Sequence, residues 1–296
     1  MRFLSGLACA VALALSLVPT APSGAGAAEI EGAFADASRI ASIGGAVTEI
    51  VFALGEEGRL VARDSTSVYP PEALKLPDVG YMRQLSPEGV LSVHPTGILA
   101  IEGSGPREAV DVLKKSDVAY LEVPERFDHA GIVDKIRVVG KALGAGDRAE
   151  ALADAVDARL KAVEKSVASI EDRKRVLFVL SLQGGKVMAA GADTAADGII
   201  RLAGAVNAVE GYSGYKQLSD EAVITADPDL VLMMEQDDTP VSGSDPFDNP
   251  AIAATAAGKN RALVRMHGSY LLSFGPRTAE AIHDLAVSIY GQQVTD

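Results

Sequence analysis

The chain has 296 residues, a formal net charge of −13, 4 histidines, no tryptophan and a single cysteine, Cys9. The acidic balance argues against nucleic acid or an anionic membrane as partner, while leaving room for a locally basic pocket. With its only thiol near the start, the rest of the chain can form no disulfide, thiol nucleophile or cysteine zinc site.

The first residues read as a processing signal. Arg2 is the only charge before Glu29, Leu4 to Val18 is apolar, and Ala25-Gly26-Ala27 places small residues at a cleavage position. This predicts an export signal over 1–27, cleaved near Ala27, with an apolar part too short to anchor in a bilayer. Cys9 has too little apolar chain upstream to be a lipidation site. The expected location is the periplasm, and the remainder suffices for one large domain or two ordinary ones.

From there the chain alternates. Strands are predicted at Arg39–Ile43, Leu60–Ala62, Gly97–Ile101 and Ala119–Val123, with helices at Thr48–Leu54, Pro87–Ser92, Arg107–Lys115 and Phe127–Leu143. Thr48 and Glu49 read as the first turn of their helix. Arg63 falls in the loop that follows the second strand. The β-α-β-α order predicts an α/β lobe, 28–146, with a largely parallel sheet. Asp147–Ile170 carries Leu152, Val156, Leu160, Val163, Val167 and Ile170 at helical spacing without Gly or Pro. At about 36 Å it is long enough to join two lobes, so 147–172 is read as a connecting helix. A second lobe, 173–296, follows. It has strands at Arg175–Leu180, Leu230–Met234 and Leu263–Met266, helices at Thr194–Ala203 and Pro276–Tyr290, and loops at Gly184-Gly185, Ala189–Gly191 and Asp237–Asn249.

A repeat links the halves. Gln84-Leu85-Ser86-Pro87-Glu88 and Gln217-Leu218-Ser219-Asp220-Glu221 align at a constant offset of 133, which also matches Val90 with Val223, Pro95 with Pro228 and Glu102 with Glu235. Two like lobes facing each other would leave a cleft, a common place for a ligand. Glu88 and Glu221 read two ways: as acids at the start of Ser-capped helices, or as a matched pair of acidic knobs that dock on a partner.

Just before the first repeat unit lies Val79-Gly80-Tyr81-Met82-Arg83. A phenol is a poor metal ligand while protonated, a nearby guanidinium favours the phenolate, and tyrosinate is a known axial ligand of haem iron. A ring packed on the surface beside a solvated arginine is the plainer account of the same residues. His94, His129, His267 and His283 include no pair at metal-ligand spacing, and His94 aligns with Asp227 in the repeat. Neither Gly-Gly loop is a nucleotide-binding motif, and there is no nucleophile elbow, so an enzyme is not expected.

Taken together, Ser42-Ile43-Gly44-Gly45, Gly80-Tyr81-Met82-Arg83, the paired Leu-Ser-x-Glu units, the long helix and Phe274-Gly275-Pro276-Arg277 resemble the periplasmic haem-binding proteins of bacterial haem ABC importers, HmuT-type, among the class III substrate-binding proteins. The resemblance covers the chain beyond its signal. It implies two α/β lobes bridged by one long helix, with haem b (hemin) as transported ligand. By the same resemblance Tyr81 is the axial ligand of the haem iron and Arg83 its hydrogen-bonding neighbour. Glu88 and Glu221 engage the membrane permease dimer that works with its ATPase, and the carrier is expected to be a monomer. Tyr212, Tyr215, Lys216, Arg277, Arg63 and Gln183 are the remaining pocket candidates, the first three in a loop at positions equivalent to the Tyr81 loop, since haem needs apolar contact around the ring and donors at its propionates. The loop Ser181–Gly185 has no histidine where some family members have one, which favours a single haem. A ferric-siderophore or cobalamin carrier of the same fold is the alternative. A siderophore already fills the coordination sphere of its iron and leaves no position for a phenolate.

Overall fold

The computed structural model describes residues 32–235 and 245–294. The predicted export signal and residues 237–244 of the predicted polar loop lie outside them. The first sheet holds β1 (Ile40–Ile43), β2 (Leu60–Arg63), β3 (Gly97–Ile101) and β4 (Ala119–Val123) in the order β2-β1-β3-β4, with every pair parallel. β1 and β3 are buried along their whole length, as strands covered by helices on both faces must be. The order reverses between β1 and β3, and the crevice outside such a reversal is where open α/β sheets bind ligands.

The second sheet holds β5 (Arg175–Gln183), β6 (Lys186–Ala190), β7 (Val206–Asn207), β8 (Tyr215–Leu218), β9 (Leu230–Glu235) and β10 (Leu263–His267). Its order is β10-β9-β5-β6-β8, with β7 also on β5. β10, β9, β5 and β7 are parallel, whereas β6 pairs antiparallel with both β5 and β8. Gly184-Gly185 form a loop as expected, whereas Ala189 and Ala190 lie in β6 and Tyr215 in β8, which corrects the expectation of loops there. Two glycines between pairing segments make a hairpin turn, and strands this short carry too little alternation to be read from sequence.

The repeat is structural. The offset of 133 carries β3 onto the first five residues of β9. It also matches the helix Pro87–Leu91, whose Gly89 N–H donates to Ser86 Oγ at 3.3 Å, with Asp220–Ala226, whose Ala222 N–H donates to Ser219 Oγ at 3.2 Å. Val90 and Val223 are both fully buried, and His94 and Asp227 both turn the chain in the left-handed region at φ 50° and 34°. The halves differ just before the capped helix, where the first has the Tyr81 loop and the second has β8.

The connecting helix is Gly146–Val167. It packs on His129–Ala142 of the first half and on Thr278–Tyr290 of the second. A Cβ on Gly140 would come within 2.1 Å of the Ala149 Cβ, so only glycine permits the first of these contacts. One contiguous apolar core runs from Ile50, Leu99 and Val139 through Val156 and Leu160 to Phe178, Ile199 and Leu285. The outer faces of the two sheets have separate cores, around Val90 and Leu113 in one half and Val223 and Ile252 in the other. A shared core of this kind resists hinge motion, because opening would expose apolar surface.

Candidate functional site

Tyr81 sits on a loop tied on both sides. On one side Arg63 N–H donates to Pro77 O at 2.9 Å, Val79 N–H to Arg63 O at 2.9 Å, and Ser65 N–H to Gly80 O at 3.0 Å. On the other, Gly105 N–H donates to Met82 O at 2.9 Å and Leu85 N–H to Gly105 O at 2.7 Å. Gly80 has φ 100°, a conformation that favours glycine, and its N–H is held by Asp78 Oδ1 at 2.8 Å. The backbone is therefore fixed while the Tyr81 side chain remains 42% exposed. Such a group is free to meet a ligand without reordering its loop.

Beneath the loop lies the buried Asp64. Its Oδ1 accepts from Gly44 N–H at 2.9 Å and Ser67 Oγ at 2.7 Å, and its Oδ2 accepts from Thr66 N–H at 3.0 Å and Thr66 Oγ1 at 2.7 Å. Thr48 completes this network through Ser42 and Ser67. The helix begins at Gly45, so Thr48 and Glu49 belong to its second turn and not its first. Arg63 is likewise corrected. It ends β2, is buried, and donates to Asp78 Oδ2 at 3.0 Å and Asp64 O at 2.9 Å. It supports the Tyr81 loop from below.

In the second half, Tyr215 of β8 feels the charges of the Tyr81 loop. Burial raises its phenol pKa, while Arg83 and the Thr194 hydroxyl act in the opposite sense and Tyr81 adds slightly to the rise. Tyr81 and Arg83 of the first half thus share an electrostatic neighbourhood with Tyr215 of the second. Glu125 borders the same group. Its carboxyl is raised by burial and lowered by Lys135, with a smaller lowering from Arg83.

Lys135 and Glu125 are the site neighbours that the sequence reading missed. Lys135 is 1% exposed, and its Nζ lies 2.5 Å from Glu125 Oε1 and 3.2 Å from Phe274 O of the second half. Burial lowers the Lys135 pKa, against the pull of Glu125. The available signal was a lysine inside the apolar stripe Ile132, Ile136 and Val139.

Other candidates scatter. Tyr215 and Lys216 are neighbours in β8, so they point to opposite faces of the sheet. Lys216 lies over the Tyr212 ring at 4.9 Å, and Tyr212 O–H donates to Ala189 O at 3.2 Å, in the core on the far side from Phe178 and Tyr215. The expected grouping of Tyr212, Tyr215 and Lys216 in one loop is therefore divided by the alternation of a strand. Arg277 precedes the closing helix, which starts at Thr278 and leaves Pro276 outside it. Its guanidinium pairs with Glu49 Oε2 at 3.0 Å and stacks over the Tyr69 ring at 3.3 Å. Arg277 thus ties the halves together. Gln183 ends β5, and its side chain lies outside the described residues. Glu88 and Glu221 are both exposed at the first turns of their helices. The Glu221 carboxyl is held below the usual range by its own backbone N–H and by the Ser219 hydroxyl. Among the described residues, no three His, Cys, Asp or Glu side chains gather to hold a metal ion.

The periplasmic binding protein family matches residues 40–270. The solved structure of the periplasmic haem-binding protein BhuT in complex with two haems superposes with a TM-score of 0.80 at 38% identity, over 87% of this chain and 99% of that one. An uncharacterised ABC transporter substrate-binding lipoprotein of Bacillus subtilis (strain 168), YvrC, is 26% identical over 255 residues, 85% of this chain and 80% of that protein. The vitamin B12-binding protein of Yersinia pestis (strain Pestoides F) is 32% identical over 100 residues, 34% of each chain. Family and architecture agree: the chain belongs to the periplasmic binding proteins, which bind and deliver ligands and are not enzymes, and it has the two-lobed fold of their haem-binding members.

Proposed function

We propose that this protein is a periplasmic haem carrier that serves an ABC importer. Haem lies between the lobes (28–146 and 173–296, joined by 147–172), with Tyr81 as the axial ligand of Fe(III) and Arg83 beside the phenolate. The carrying observation is the Tyr81 side chain, exposed on a loop braced at Arg63, Ser65 and Gly105 and within electrostatic reach of Tyr215. Loss of the phenol proton on metal binding leaves an anion, and a guanidinium at its side stabilises that anion. A rigid loop adds affinity by lowering the ordering cost of binding. Tyr212, Lys216, Arg277 and Gln183 remain candidates for the propionate edge. Arg277 is already committed to Glu49, and Lys216 lies over the Tyr212 ring on the face of β8 opposite Tyr215, so either would have to be re-aimed to reach a propionate.

Glu88 and Glu221, one on each lobe, dock the loaded carrier on the permease dimer. The repeat supports this reading, because two matched acids suit a partner with two matched basic sites. One haem per monomer is favoured, since Ser181–Gly185 has no histidine. BhuT is similar to this chain and holds two, which makes stoichiometry a direct readout. Titration of the protein, freed of its signal, with hemin and with cyanocobalamin tests the assignment. A saturating hemin spectrum at one equivalent, with no cobalamin uptake, supports it. Cobalamin binding in place of hemin would favour the alternative suggested by the partial match to the vitamin B12-binding protein.

A further inference from the structure

Phe274-Gly275-Pro276-Arg277 leads into the closing helix of the second half, yet the partners of this segment lie largely in the first. A shared core resists opening of the lobes. Twisting about the connecting helix instead slides apolar surfaces past one another, and directional contacts away from that helix are needed to check it.

Phe274 is the strained member. It is 1% exposed and sits at φ 52°, a region that a bulky side chain rarely occupies and that persists only where the surroundings hold it. Two groups of the first half hold it there. The Lys135 ammonium donates to its carbonyl at 3.2 Å, and the Phe127 ring meets its ring edge-on with centroids 5.1 Å apart. Phe127 is itself seated on the second half, since a Cβ on Gly198 would come within 2.5 Å of the Phe127 carbonyl oxygen. Arg277 makes the other end of the segment fast. Its backbone N–H and its Nη2 donate to different oxygens of Glu49, both at 3.0 Å, and Glu49 is buried. The same guanidinium lies 3.3 Å from the centre of the Tyr69 ring and 5.4 Å from that of Tyr270, one ring from each half. Glu49 and Lys135 are thus buried charges of the first half with partners in the second.

The helices that carry Glu88 and Glu221 lie one on each lobe, so the spacing of these acids is only as constant as the arrangement of the lobes. Two contacts with one partner reinforce each other when their spacing matches, and the gain is lost when it does not. We propose that Phe274–Arg277 is a bolt between the lobes that fixes the spacing of Glu88 and Glu221, with Glu49 and Tyr69 as its positioning residues on the first lobe. The proposal rests on the docking reading of those two acids, while the lobe geometry is measurable without it.

The test places spin labels at Ser92→Cys and Thr225→Cys, two exposed positions at the docking helices that the offset of 133 matches. In the protein freed of its signal these are the only thiols, because Cys9 is removed with it. Double electron–electron resonance on the ligand-free protein reads the distance in this background and with Glu49→Gln, Tyr69→Ala or Tyr69→Phe added. Glu49→Gln and Tyr69→Ala are expected to broaden a single narrow distribution. Both should lower stimulation of ATP hydrolysis by the permease–ATPase complex by about fivefold. Tyr69→Phe keeps a ring over the guanidinium and is expected to match the parent in both readouts. An unchanged distribution in Glu49→Gln and Tyr69→Ala would overturn the bolt. A broadened distribution with undiminished stimulation would overturn the link between spacing and docking. Absence of stimulation by the parent would overturn the docking reading, and the distances would still decide the bolt. Tyr69 is 39% exposed, so its replacement costs the fold little and keeps the test decisive if Glu49→Gln does not fold.

Discussion

Arg63 Nη1 lies 3.0 Å from Asp78 Oδ2, and this pair holds the entry to the loop that presents Tyr81. The arginine comes from the end of a buried strand and the aspartate from the loop itself, so the ligand-bearing segment is anchored to the sheet. Replacing Arg63 with Met should leave the Tyr81 side chain in place chemically but loosen its backbone. Hemin affinity is expected to fall about fivefold, equivalent to about 1 kcal/mol for a partly exposed pair. The ligand spectrum should be retained. Titration of the variant beside the parent protein checks this, and loss of the spectrum itself would contradict it by showing that Tyr81 cannot reach the ligand without the Arg63–Asp78 pair.

Lys135 and Glu125 give a prediction about pH. Removing the lysine by Lys135→Met leaves a buried carboxylate without its counter-charge, a loss of about 3–5 kcal/mol at neutral pH. Burial already raises the Glu125 carboxyl, and without Lys135 that rise is larger. A carboxyl whose folded pKa lies above its unfolded value contributes stability below the unfolded pKa and loses it as pH rises through the folded one. The variant should therefore be most destabilised near pH 8 and recover toward pH 4. Denaturant melts across that range check the sign. The double substitution Lys135→Met with Glu125→Gln should remove most of the pH dependence.

Docking should separate from ligand binding. Glu88→Gln and Glu221→Gln are expected to leave hemin titrations unchanged. Each should lower the affinity for the permease–ATPase complex by about tenfold or more. The Glu221 carboxyl is held below the usual range by its own N–H and by Ser219, so its charge persists into mildly acidic solution. Ser219→Ala should raise the pH at which docking is lost. Stimulation of ATP hydrolysis in reconstituted vesicles is the readout.

The sequence made much of this legible. The buried runs of β1, β3 and β9, the long amphipathic helix and the repeat at 133 residues all come from patterns that survive without tertiary information, and they locate both capped helices. What escaped depends on contacts across the fold. The bulge at Leu180 breaks the alternation that would mark the β5–β6 ribbon, and without that ribbon β8 has no visible partner, so nothing in the sequence shows that Tyr215 and Lys216 face opposite ways. The order of elements located Arg63 near the cleft but not on which side of the strand end it would fall. Nor could it show that Arg277 is occupied by Glu49, 228 residues away in sequence. Lys135 sits in an apolar helical stripe, and only the folded chain reveals its partners.

The central claim is that Tyr81 binds the iron. Hemin titration of the protein beside Tyr81→Ala, followed by visible absorption, tests it most directly. The account predicts a one-to-one end point with a tyrosinate-to-iron charge-transfer band in the parent protein. The variant should lose that band and bind hemin at least tenfold more weakly, as expected when a ligand bond is removed. An identical band and affinity in the variant would contradict the assignment and place the iron on another side chain.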